Sequence, residues 1–543
     1  MFSEPVVGKY FFGRNDLLQL LDKRVETLKD GYRQNVAITG QSMTGKSSLL
    51  QHFLYTIRDD SFIPIYVELG KESFQSFASK FIATLLYNSL RSQGDKTTGT
   101  IDSLLERAQN IIPRTADAIR HILEQIEKKQ MSDAYFGLLG LTSSLREETS
   151  KSCIVILDEF HNIESFDIKN PFSIFGKVIM LQKDTMYIVT SSRMNTIKKI
   201  LQEKLALLFG NFEVVELKGF RYSVASDYIE RRIKPLAIDP ATKRFLISFT
   251  DGNPFYLNYL CGEAKNIAQA LSRSMIDQSD VEEATLSLVY GSNGTIHQYL
   301  LNFLLNNLDG GNRDTHLTVL VSLAKGCNKL KEITRDLKKN SSDVSRILEE
   351  LIEIGIISKR GAFYIIDDSV LRFWLYHVYH AKQTMLINYV LERASAYRSD
   401  LKAYISDYSQ DANKGIFSKV VELFDLFAND YVQHGDKTIL LPQFTRVGVG
   451  TYDDITPHIV ATAKNKCWVC RIYTSIINED DIADCLRNMK SSPQKIAKYV
   501  AVPLAGIDEN AKLLAKELKI ALWDLEFINM LLHVYGKNGV ILY

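Results

Sequence analysis

The sequence contains few of the residues that dominate fibrous or disulfide-stabilised proteins. Its 543 residues include 29 Gly and 11 Pro, too few for a collagen-like chain, and 6 Cys, too few for a disulfide scaffold. It also lacks an excess of one charge, because 65 Lys and Arg face 64 Asp and Glu. A chain balanced in this way is not a bulk polyanion binder, although a local basic patch stays possible. The scattered cysteines suit a reducing compartment, so we expect a cytoplasmic protein.

Long apolar runs are also missing. No run approaches the roughly 18 residues that a membrane-spanning helix needs, so we expect no membrane partner. The first ten residues, MFSEPVVGKY, lack a basic segment followed by an apolar stretch, which predicts that there is no secretory signal. The chain has an ordinary globular balance, with 46% hydrophobic and 24% charged residues. At roughly 150 residues per domain, its length predicts three or four domains.

The first 220 residues or so alternate short β-branched runs with amphipathic helical stretches. Near-continuous apolar runs are typical of strands buried on both faces of a parallel sheet. They predict strands at Asn35–Thr39, Phe62–Leu69, Cys153–Leu157, Met186–Ser191 and Phe212–Leu217. Helical residues 101–148 separate the second and third strands as an insertion, with Pro113, Gly137 and Gly140 as expected breaks. We therefore predict an α/β multidomain fold built on a parallel sheet.

A phosphate-binding loop lies between the first predicted strand and a helix. The pattern is G-x-x-x-x-G-K-S, whose glycines let consecutive backbone N–H groups curl around phosphate oxygens at a helix N-terminus. Lys46 is expected to reach the β- and γ-phosphates, and Ser47 to bind Mg²⁺ through its hydroxyl. The residues predicted to hold ATP or ADP here are Gly40, Gln41, Ser42, Met43, Thr44, Gly45, Lys46, Ser47 and Ser48.

Acidic residues follow the third predicted strand. Asp158 is expected to hold Mg²⁺ through a water molecule, and Glu159 to orient or deprotonate the attacking water in phosphoryl transfer. His161 either senses nucleotide or is an ordinary loop histidine. Arg193 follows the fourth strand, whose carboxyl end faces the ligand crevice of a parallel sheet, so it either binds γ-phosphate bidentately or is a surface arginine. This arrangement predicts a slow ATPase with Lys46, Asp158 and Glu159 as its catalytic residues.

Six segments occur in the order found in one family of ATPases. They resemble the STAND class of AAA+-related P-loop ATPases, in particular the archaeal-type group with a winged helix: FFGR, GQSMTGKSS, CIVILDEFH, YIVTSSR, ELKGF and DGNPFYL. The resemblance covers residues 8–380. It implies that Gly13, Arg14 and Pro254 line the adenine pocket and that Arg193 contacts the γ-phosphate. Asp368, Phe373 and Trp374 match the end of the winged helix of that group.

A winged helix–turn–helix is also predicted from the residues themselves. Helices are expected at Asp314–Ala324 and Lys329–Lys338, and a third follows the N-capping residues at 340–342. A hairpin turning at Arg360 and Gly361 completes the motif. The third helix is rich in acidic residues. The module therefore either serves only in contacts between domains or binds DNA phosphates through the basic N-terminal end of this helix.

The last 130 residues or so resemble the restriction-endonuclease-like fold, and their end resembles that of Mrr-type nucleases. We expect a helix at 417–432, strands at 438–441, 455–461, 467–473 and 499–502, a helix at 511–518, a strand at 520–523 and a final helix at 525–535.

The carboxylates of such a nuclease are missing from this chain. An active member needs a helix Glu, an Asp and a Glu-x-Lys pair around a metal. These positions fall at Ser418, at His458 and within Val469–Tyr473, so nuclease activity is predicted to be lost, although Asp453 and Asp454 lie nearby. Cys467 and Cys470 are three residues apart on a predicted strand and should point to opposite faces, so no zinc site is expected there.

These predictions divide the chain into five parts. They are a P-loop ATPase core at 1–221, a helical lid at 222–294, a winged helix–turn–helix at 295–382, a helical connector at 383–412 and a nuclease-like domain at 413–543. The predicted function is an ATP-hydrolysing switch whose nucleotide state controls domain arrangement, partner binding or self-association. The alternative is an ATP-modulated DNA-binding protein. The expected ligands are ATP or ADP and Mg²⁺, with a protein partner or DNA as further possibilities.

Overall fold

The computed structural model divides into two compact units. Unit 1 contains Met1–Arg232, Asp251–Tyr259 and Glu353–Gly355, and unit 2 contains the remainder. The residues described are 4–57, 59–95, 98–205, 210–308, 310–384, 390–435, 437–451, 457–463, 466–491 and 496–540. Within these ranges, no helix has the length and apolar character needed to cross a membrane. The division into five domains stays a prediction.

Unit 1 is built on a five-stranded parallel sheet. Its strands are β1 (Asn35–Thr39), β2 (Phe62–Glu68), β3 (Ser152–Asp158), β4 (Thr185–Ser191) and β5 (Phe212–Glu216). They are ordered β2-β3-β4-β1-β5, and every neighbouring pair is parallel. All residues of β1, β3 and β4 are buried, which accounts for their continuous apolar runs. The five predicted strands and the parallel sheet are confirmed.

The sheet of unit 1 is covered on both faces. In β3, Val155 and Leu157 belong to one hydrophobic core while Ile154 and Ile156 belong to a second, as expected when alternate side chains point to opposite faces. The helices of this part of the chain are Asn15–Lys29, Lys46–Thr56, Phe74–Ser92, Ile101–Ile111, Pro113–Glu127, Met131–Thr149, Pro171–Leu181, Met194–Lys199 and Tyr222–Ile233.

The insertion between β2 and β3 is helical, as predicted, but two of its three expected breaks are wrong. Pro113 does start a new helix, where its missing N–H costs nothing. Gly137 and Gly140 instead lie inside the helix Met131–Thr149. A Cβ at Gly137 would lie 3.1 Å from Ile122 Cγ1, so this glycine permits the close approach of the helix Pro113–Glu127.

The chain after residue 233 continues mainly as helices. Two short parallel strands, β6 (Ala237–Ile238) and β7 (Met275–Ile276), lie among them. The helices up to the hairpin are Pro240–Phe249, Pro254–Ala270, Gln278–Thr285, Thr295–Asn307, Arg313–Ala324, Leu330–Leu337 and Ser341–Ile354. The antiparallel hairpin consists of β8 (Ile357–Arg360) and β9 (Phe363–Ile366). Three helices and a hairpin therefore occur where the sequence predicts them, and their identification as a winged helix stays a prediction.

The remainder of unit 2 ends in a mixed five-stranded sheet. The helices Ser369–Trp374, Ala381–Thr384, Val390–Ala412 and Ile416–Asp425 precede a hairpin of β10 (Asp430–His434) and β11 (Lys437–Leu441). The sheet runs in the order β12 (Arg446–Thr451), β13 (Pro457–Ala463), β14 (Lys466–Tyr473), β15 (Ile496–Pro503) and β16 (Ala521–Leu522). Its first two pairings are antiparallel and its last two are parallel. The helices Glu479–Ser491, Glu509–Glu517 and Leu525–Val534 complete the unit.

The predicted helix at 417–432 is wrong in its second half. The helix ends at Asp425, and the chain turns through Asn429, which has a left-handed φ of 61°, into strand β10. The Asn429 side chain accepts a hydrogen bond from the backbone N–H of Gln443 at 3.0 Å. Asn tolerates left-handed conformation better than other non-glycine residues, so it marks a turn that apolar spacing alone does not reveal.

The β8–β9 hairpin is part of the C-terminal hydrophobic core. Phe363, fully buried on β9, belongs to the same core as Phe424 and Trp523. The backbone N–H of Ala362 donates to the Tyr431 carbonyl at 2.8 Å. Gly361 has a φ of +70°, and a Cβ on it would lie 2.2 Å from the Tyr431 carbonyl oxygen, so only glycine fits this contact.

Candidate nucleotide-binding site

The predicted phosphate loop connects β1 to the helix Lys46–Thr56. Gly40 opens the loop, and a Cβ there would lie 2.4 Å from the Leu217 carbonyl oxygen, which requires glycine. Met43 and Gly45 have left-handed φ values of 62° and 95° that curl the backbone. The Thr44 hydroxyl donates to the Gln41 carbonyl at 2.8 Å and closes the turn. The loop thus ends at the positive end of a helix, which is favourable for phosphate.

Lys46 is the buried cation of the site. Its side chain is 5% exposed, and its ammonium group donates to the carbonyls of Gly40 and Gln41 at 2.9 Å each. The same Nζ lies 4.0 Å from Glu159 Oε1. Burial lowers the pKa of Lys46, and the negative charges of Glu159 and Asp158 oppose that shift. The predicted catalytic residues of the loop and of strand β3 are therefore brought together.

Asp158 lies at the end of β3 and is 1% exposed. Its Oδ2 accepts a hydrogen bond from the Tyr66 hydroxyl at 2.7 Å, and its Oδ1 accepts one from the Thr190 hydroxyl. Burial, followed by the charge of Asp158, raises the pKa of Tyr66, so this hydroxyl stays a donor. Tyr66 and Thr190 were not predicted as site residues, because their contacts join β2 and β4 to β3 and depend on the order of the strands.

Glu159 follows Asp158 in a left-handed conformation with φ of 55°. Its Oε2 accepts hydrogen bonds from both the backbone N–H and the hydroxyl of Ser192, each at 2.9 Å. Its own backbone N–H donates to the Thr190 hydroxyl oxygen at 3.0 Å. Ser192 was also missed as a site residue, although two serines directly before Arg193 are a readable signal for hydroxyl donors at a strand end.

His161 is part of this cluster and is not on the surface. Its side chain is 7% exposed, and its Nδ1 lies 3.0 Å from the Ser191 hydroxyl and 3.3 Å from Glu159 Oε2. Burial lowers the pKa of His161 to about 4; Glu159 opposes this shift, whereas the charges of Arg193 and Lys46 reinforce it. The imidazole is therefore neutral at pH 7.

Arg193 begins the segment after β4. Its backbone N–H donates to the Ser191 hydroxyl at 3.0 Å, and its charge acts on His161. Within unit 1, the backbone of Gly355 lies beside it, since a Cβ on Gly355 would be 3.5 Å from Arg193 Cα. The structure thus places Arg193 in the same cluster as Lys46, Glu159 and His161.

The residues predicted to line the adenine pocket lie around the phosphate loop. Arg14 has a left-handed φ of 64°, its Nη2 donates to the Thr44 carbonyl at 3.2 Å, and its guanidinium lies 4.6 Å from the centre of the Phe220 ring. Burial lowers the pKa of Arg14 to about 10 against the opposing charge of Asp16. Pro254 is also close, since a Cβ on Gly45 would lie 3.9 Å from its Cγ.

The segment that contains Gly219 and Phe220 lies against the segment that contains Asp251 and Gly252. The Phe220 N–H donates to the Gly252 carbonyl at 2.8 Å. A Cβ on Gly219 would lie 1.9 Å from the Asp251 carbonyl oxygen, so the backbones touch directly. Gly13 is equally confined, since its Cβ would lie 3.0 Å from Val224 Cγ1. The segments ELKGF and DGNPFYL, distant in sequence, therefore form one wall beside the loop.

The donor set of the site fits Mg²⁺. The Ser47 hydroxyl and the Asp158 carboxylate are hard oxygen ligands of the type that Mg²⁺ binds together with phosphates. The register of β2 and β3 pairs Glu68 with Asp158, and burial followed by the charges of Asp158 and Glu159 raises the pKa of Glu68. Across the part of the chain that the structure describes, no group of three or more His, Cys, Asp or Glu could hold a metal ion. Nucleotide phosphates would have to supply the remaining ligands.

The predicted nuclease positions lie on elements of the C-terminal part. Ser418 is on the helix Ile416–Asp425, His458 is buried on β13, and Cys470 and Arg471 are on β14. Asp453 and Asp454 lie outside the described residues. Cys467 and Cys470 belong to two different hydrophobic cores, which confirms that they point to opposite faces of the strand.

Comparison with known proteins identifies the domain that carries this site. Residues 10–168 match the family model of the AAA ATPase domain. The chain is 23% identical over 383 residues to an uncharacterised HTH-type transcriptional regulator of Methanocaldococcus jannaschii, covering 66% of this chain and 87% of the relative. Among solved structures, the Walker-type ATPase of Pyrococcus abyssi has 17% identity and a TM-score of 0.49, covering 69% of this chain and 99% of that one. The Aeropyrum pernix ORC2 protein has 12% identity and a TM-score of 0.44, covering 74% and 98%. The match to the AAA ATPase domain model includes Lys46, Asp158 and Glu159.

Proposed function

We propose that this protein binds and hydrolyses ATP as a STAND-type molecular switch. The observation that carries the proposal is the contact of the Lys46 ammonium with the Glu159 carboxylate at 4.0 Å, at the N-terminus of a helix and at the carboxyl ends of β1 and β3. A phosphate-binding cation and a carboxylate able to orient water are thereby held in one buried cluster. A nucleoside triphosphate uses both, and ATP is the one that we propose.

The roles of the residues follow from their surroundings. Lys46 would exchange its bonds to loop carbonyls for bonds to phosphate oxygens. Ser47 and Asp158 would hold Mg²⁺, whose charge, when bound, neutralises that of the phosphates. Glu159 would orient the attacking water, and the two hydrogen bonds from Ser192 fix the direction of its carboxylate. Gly13, Arg14 and Pro254 would line the adenine end of the pocket.

The switch requires a group that distinguishes ATP from ADP. We assign this role to Arg193, since its charge lies in the cluster of Lys46 and Glu159. Two measurements test the function: release of phosphate from ATP, and the molecular mass by light scattering with ADP and with a non-hydrolysable ATP analogue. Turnover together with a mass that changes with the analogue would support the switch. Turnover without any nucleotide-dependent change would leave an ATPase without this switch.

The second candidate is an ATP-modulated DNA-binding protein. The name of the Methanocaldococcus jannaschii relative, an HTH-type transcriptional regulator, favours it. Exposed basic and hydroxyl residues at the start of the third predicted helix also favour it: Lys338, Lys339, Ser341 and Ser342. Against it, the β8–β9 hairpin is packed into the C-terminal core. Filter binding of duplex DNA at several salt concentrations separates the two candidates, because DNA binding through phosphates requires a steep fall of affinity with salt.

A further inference from the structure

A small cavity in unit 2 lies between the end of one helical segment and the start of another. It has a volume of about 10 Å³ and is lined by Tyr290, His377, Ala381, Lys382, Arg393 and Tyr397. This volume is room for one group of the size of a water molecule. The cavity is distant in sequence from every residue of the nucleotide site.

An unsatisfied hydroxyl marks this cavity. Tyr397 is 2% exposed, and within the described part of the chain its hydroxyl has no hydrogen-bond partner. Its ring packs on Tyr290 with the ring centres 4.7 Å apart, which fixes its position. Buried hydroxyl groups are nearly always hydrogen-bonded in folded proteins, so an orphaned one calls for a partner.

Positive charges line the same cavity. The Lys382 ammonium donates to the Tyr290 carbonyl at 2.7 Å and lies 4.6 Å from the centre of the Tyr290 ring. In the residues that the structure describes, no carboxylate pairs with Lys382. Burial lowers the pKa of Lys382, and the charge of Arg393 lowers it further. One carboxylate, that of Asp400, contacts the lining residue His377, with its Oδ2 3.8 Å from His377 Nδ1.

We propose that this cavity binds a single negatively charged atom, either a halide ion or one oxygen of a carboxylate or phosphate. Such an anion would accept hydrogen bonds from the Tyr397 hydroxyl and the Lys382 ammonium, and would offset the repulsion between Lys382 and Arg393. It would also join residues 375–384 to the long helix Val390–Ala412. The site is independent of the proposed ATPase function.

The experiment measures thermal unfolding and binding heat of the full chain in a low-salt zwitterionic buffer, with chloride, acetate or phosphate added. Sodium tetrafluoroborate, whose anion is larger than the cavity and a weak hydrogen-bond acceptor, keeps the ionic strength constant. We expect at least one of these anions to raise the unfolding temperature and to bind with a measurable Kd. A chloride response assigns a halide, whereas a stronger response to acetate or phosphate assigns an oxygen ligand. No anion-specific response would overturn the proposal and leave a water-sized cavity only.

Substitutions of cavity-lining residues test whether the anion binds in this cavity. Lys382→Met should weaken the anion affinity at least tenfold. Tyr397→Phe removes one oxygen atom, and it should weaken the affinity at least threefold. Without added chloride, acetate or phosphate, this variant should be as stable as the wild type or more so. Lys402→Gln removes a charge from the same long helix, where Lys402 is exposed and paired with Glu282 at 3.9 Å, and should leave the affinity unchanged. Equal anion binding by Tyr397→Phe and the wild type would overturn the proposal even if Lys382→Met does not fold.

Discussion

At the scale of single residues, the nucleotide site pairs a buried positive charge with a half-buried negative one. Lys46 and Glu159 are oppositely charged and 4.0 Å apart, and the other oxygen of Glu159 is fixed by Ser192. The carboxylate can therefore be replaced by an amide with little change of shape. Its removal should affect the chemical step much more than nucleotide binding, since Lys46 and the loop backbone provide the phosphate contacts.

We expect Glu159→Gln to bind ATP about as well as the wild type and to hydrolyse it about 10²–10⁴-fold more slowly, because it loses the group that orients water. Lys46→Ala should instead weaken binding at least tenfold. Phosphate release and calorimetry measure the two effects. Glu164→Gln is the control, because this carboxylate lies in the same segment but is 59% exposed and pairs with Lys204. Wild-type hydrolysis by Glu159→Gln would remove Glu159 from the catalytic role.

Arg193 should determine the preference for ATP over ADP. A charge-assisted hydrogen bond contributes roughly 1.5–3 kcal/mol, and ATP differs from ADP by one phosphate. We expect Arg193→Ala to bind ADP almost normally but to lose about 10- to 100-fold of its affinity for a non-hydrolysable ATP analogue. Lys198→Ala, a change of an exposed cation five residues later, is the control. Titration calorimetry measures both nucleotides, and equal losses for ADP and the analogue would contradict this role.

Residues of the site were predictable where the chemistry depends on local sequence. The loop around Lys46 and the Asp158–Glu159 pair follow buried strands, and both patterns are readable in one dimension. The partners Tyr66, Thr190 and Ser192 were not predictable, because their contacts require β3 to lie between β2 and β4. Strand order is set by packing between distant segments, and a single sequence contains no direct signal for it.

At the scale of elements, the hairpin β8–β9 should be sensitive to added volume. Gly361→Ala places a methyl group 2.2 Å from the Tyr431 carbonyl oxygen, whereas Gly435, which also has a positive φ, has nothing within 4 Å of its Cβ position. Both substitutions force a left-handed alanine, at about 1 kcal/mol each. We expect Gly361→Ala to lower the free energy of unfolding by about 1–3 kcal/mol more than Gly435→Ala does. Urea unfolding followed by tryptophan fluorescence measures this difference, and equal effects would contradict the contact.

A buried histidine makes the stability of unit 2 depend on pH. His533 Nε2 accepts a hydrogen bond from Arg372 at 2.7 Å, so the imidazole must be neutral. Burial lowers its pKa to about 3, and the charges of Arg372 and Arg360 add to this shift. The unfolded chain binds a proton near pH 6.5 and the folded one does not. The contribution of neutral His533 to the free energy of unfolding is therefore fully present above pH 6.5, and it is lost as the pH falls towards 3.

We expect the stability advantage of the wild type over His533→Gln to shrink by about 1.4 kcal/mol between pH 7.5 and pH 5.5, because glutamine can accept the Arg372 hydrogen bond without titrating. Urea unfolding at a series of pH values gives this difference. A constant difference over that range would show that the pKa of His533 is not lowered in the folded protein.

The strands of the first sheet could be predicted from sequence, whereas two features of the helices could not. All five strands were identified almost to the residue: β1, β3 and β4 are buried at every position, and β2 and β5 keep enough apolar β-branched residues to be recognised. The helix predicted at 417–432 was too long, because Phe427 and Val432 continue a helical spacing although they enter the core from a turn and a strand. Gly137 was predicted to break a helix. It lies inside one instead, where the missing side chain makes room for Ile122 of a neighbouring helix. Tertiary packing decides both cases.

At the scale of the whole molecule, the C-terminal part should be inactive as a nuclease. The positions that would need carboxylates carry Ser418, His458 and Cys470 with Arg471. We expect the purified protein to leave supercoiled plasmid intact in the presence of Mg²⁺ or Mn²⁺. A nuclease of known activity under the same conditions is the control. Cleavage that disappears on mutation of Asp453 or Asp454 would show that the metal site lies there.

The packing of the β8–β9 hairpin limits where the gene of this protein can recombine during evolution. Phe363 and Ile365 come from the segment before residue 383, yet they share one core with Val420, Leu423 and Trp523. A recombination event between these segments would leave both products with an exposed hydrophobic surface. Gene fusion and domain exchange should therefore preserve residues 313–540 as one heritable block, and homologues that carry the hairpin without its C-terminal partner should have polar residues at positions 363 and 365.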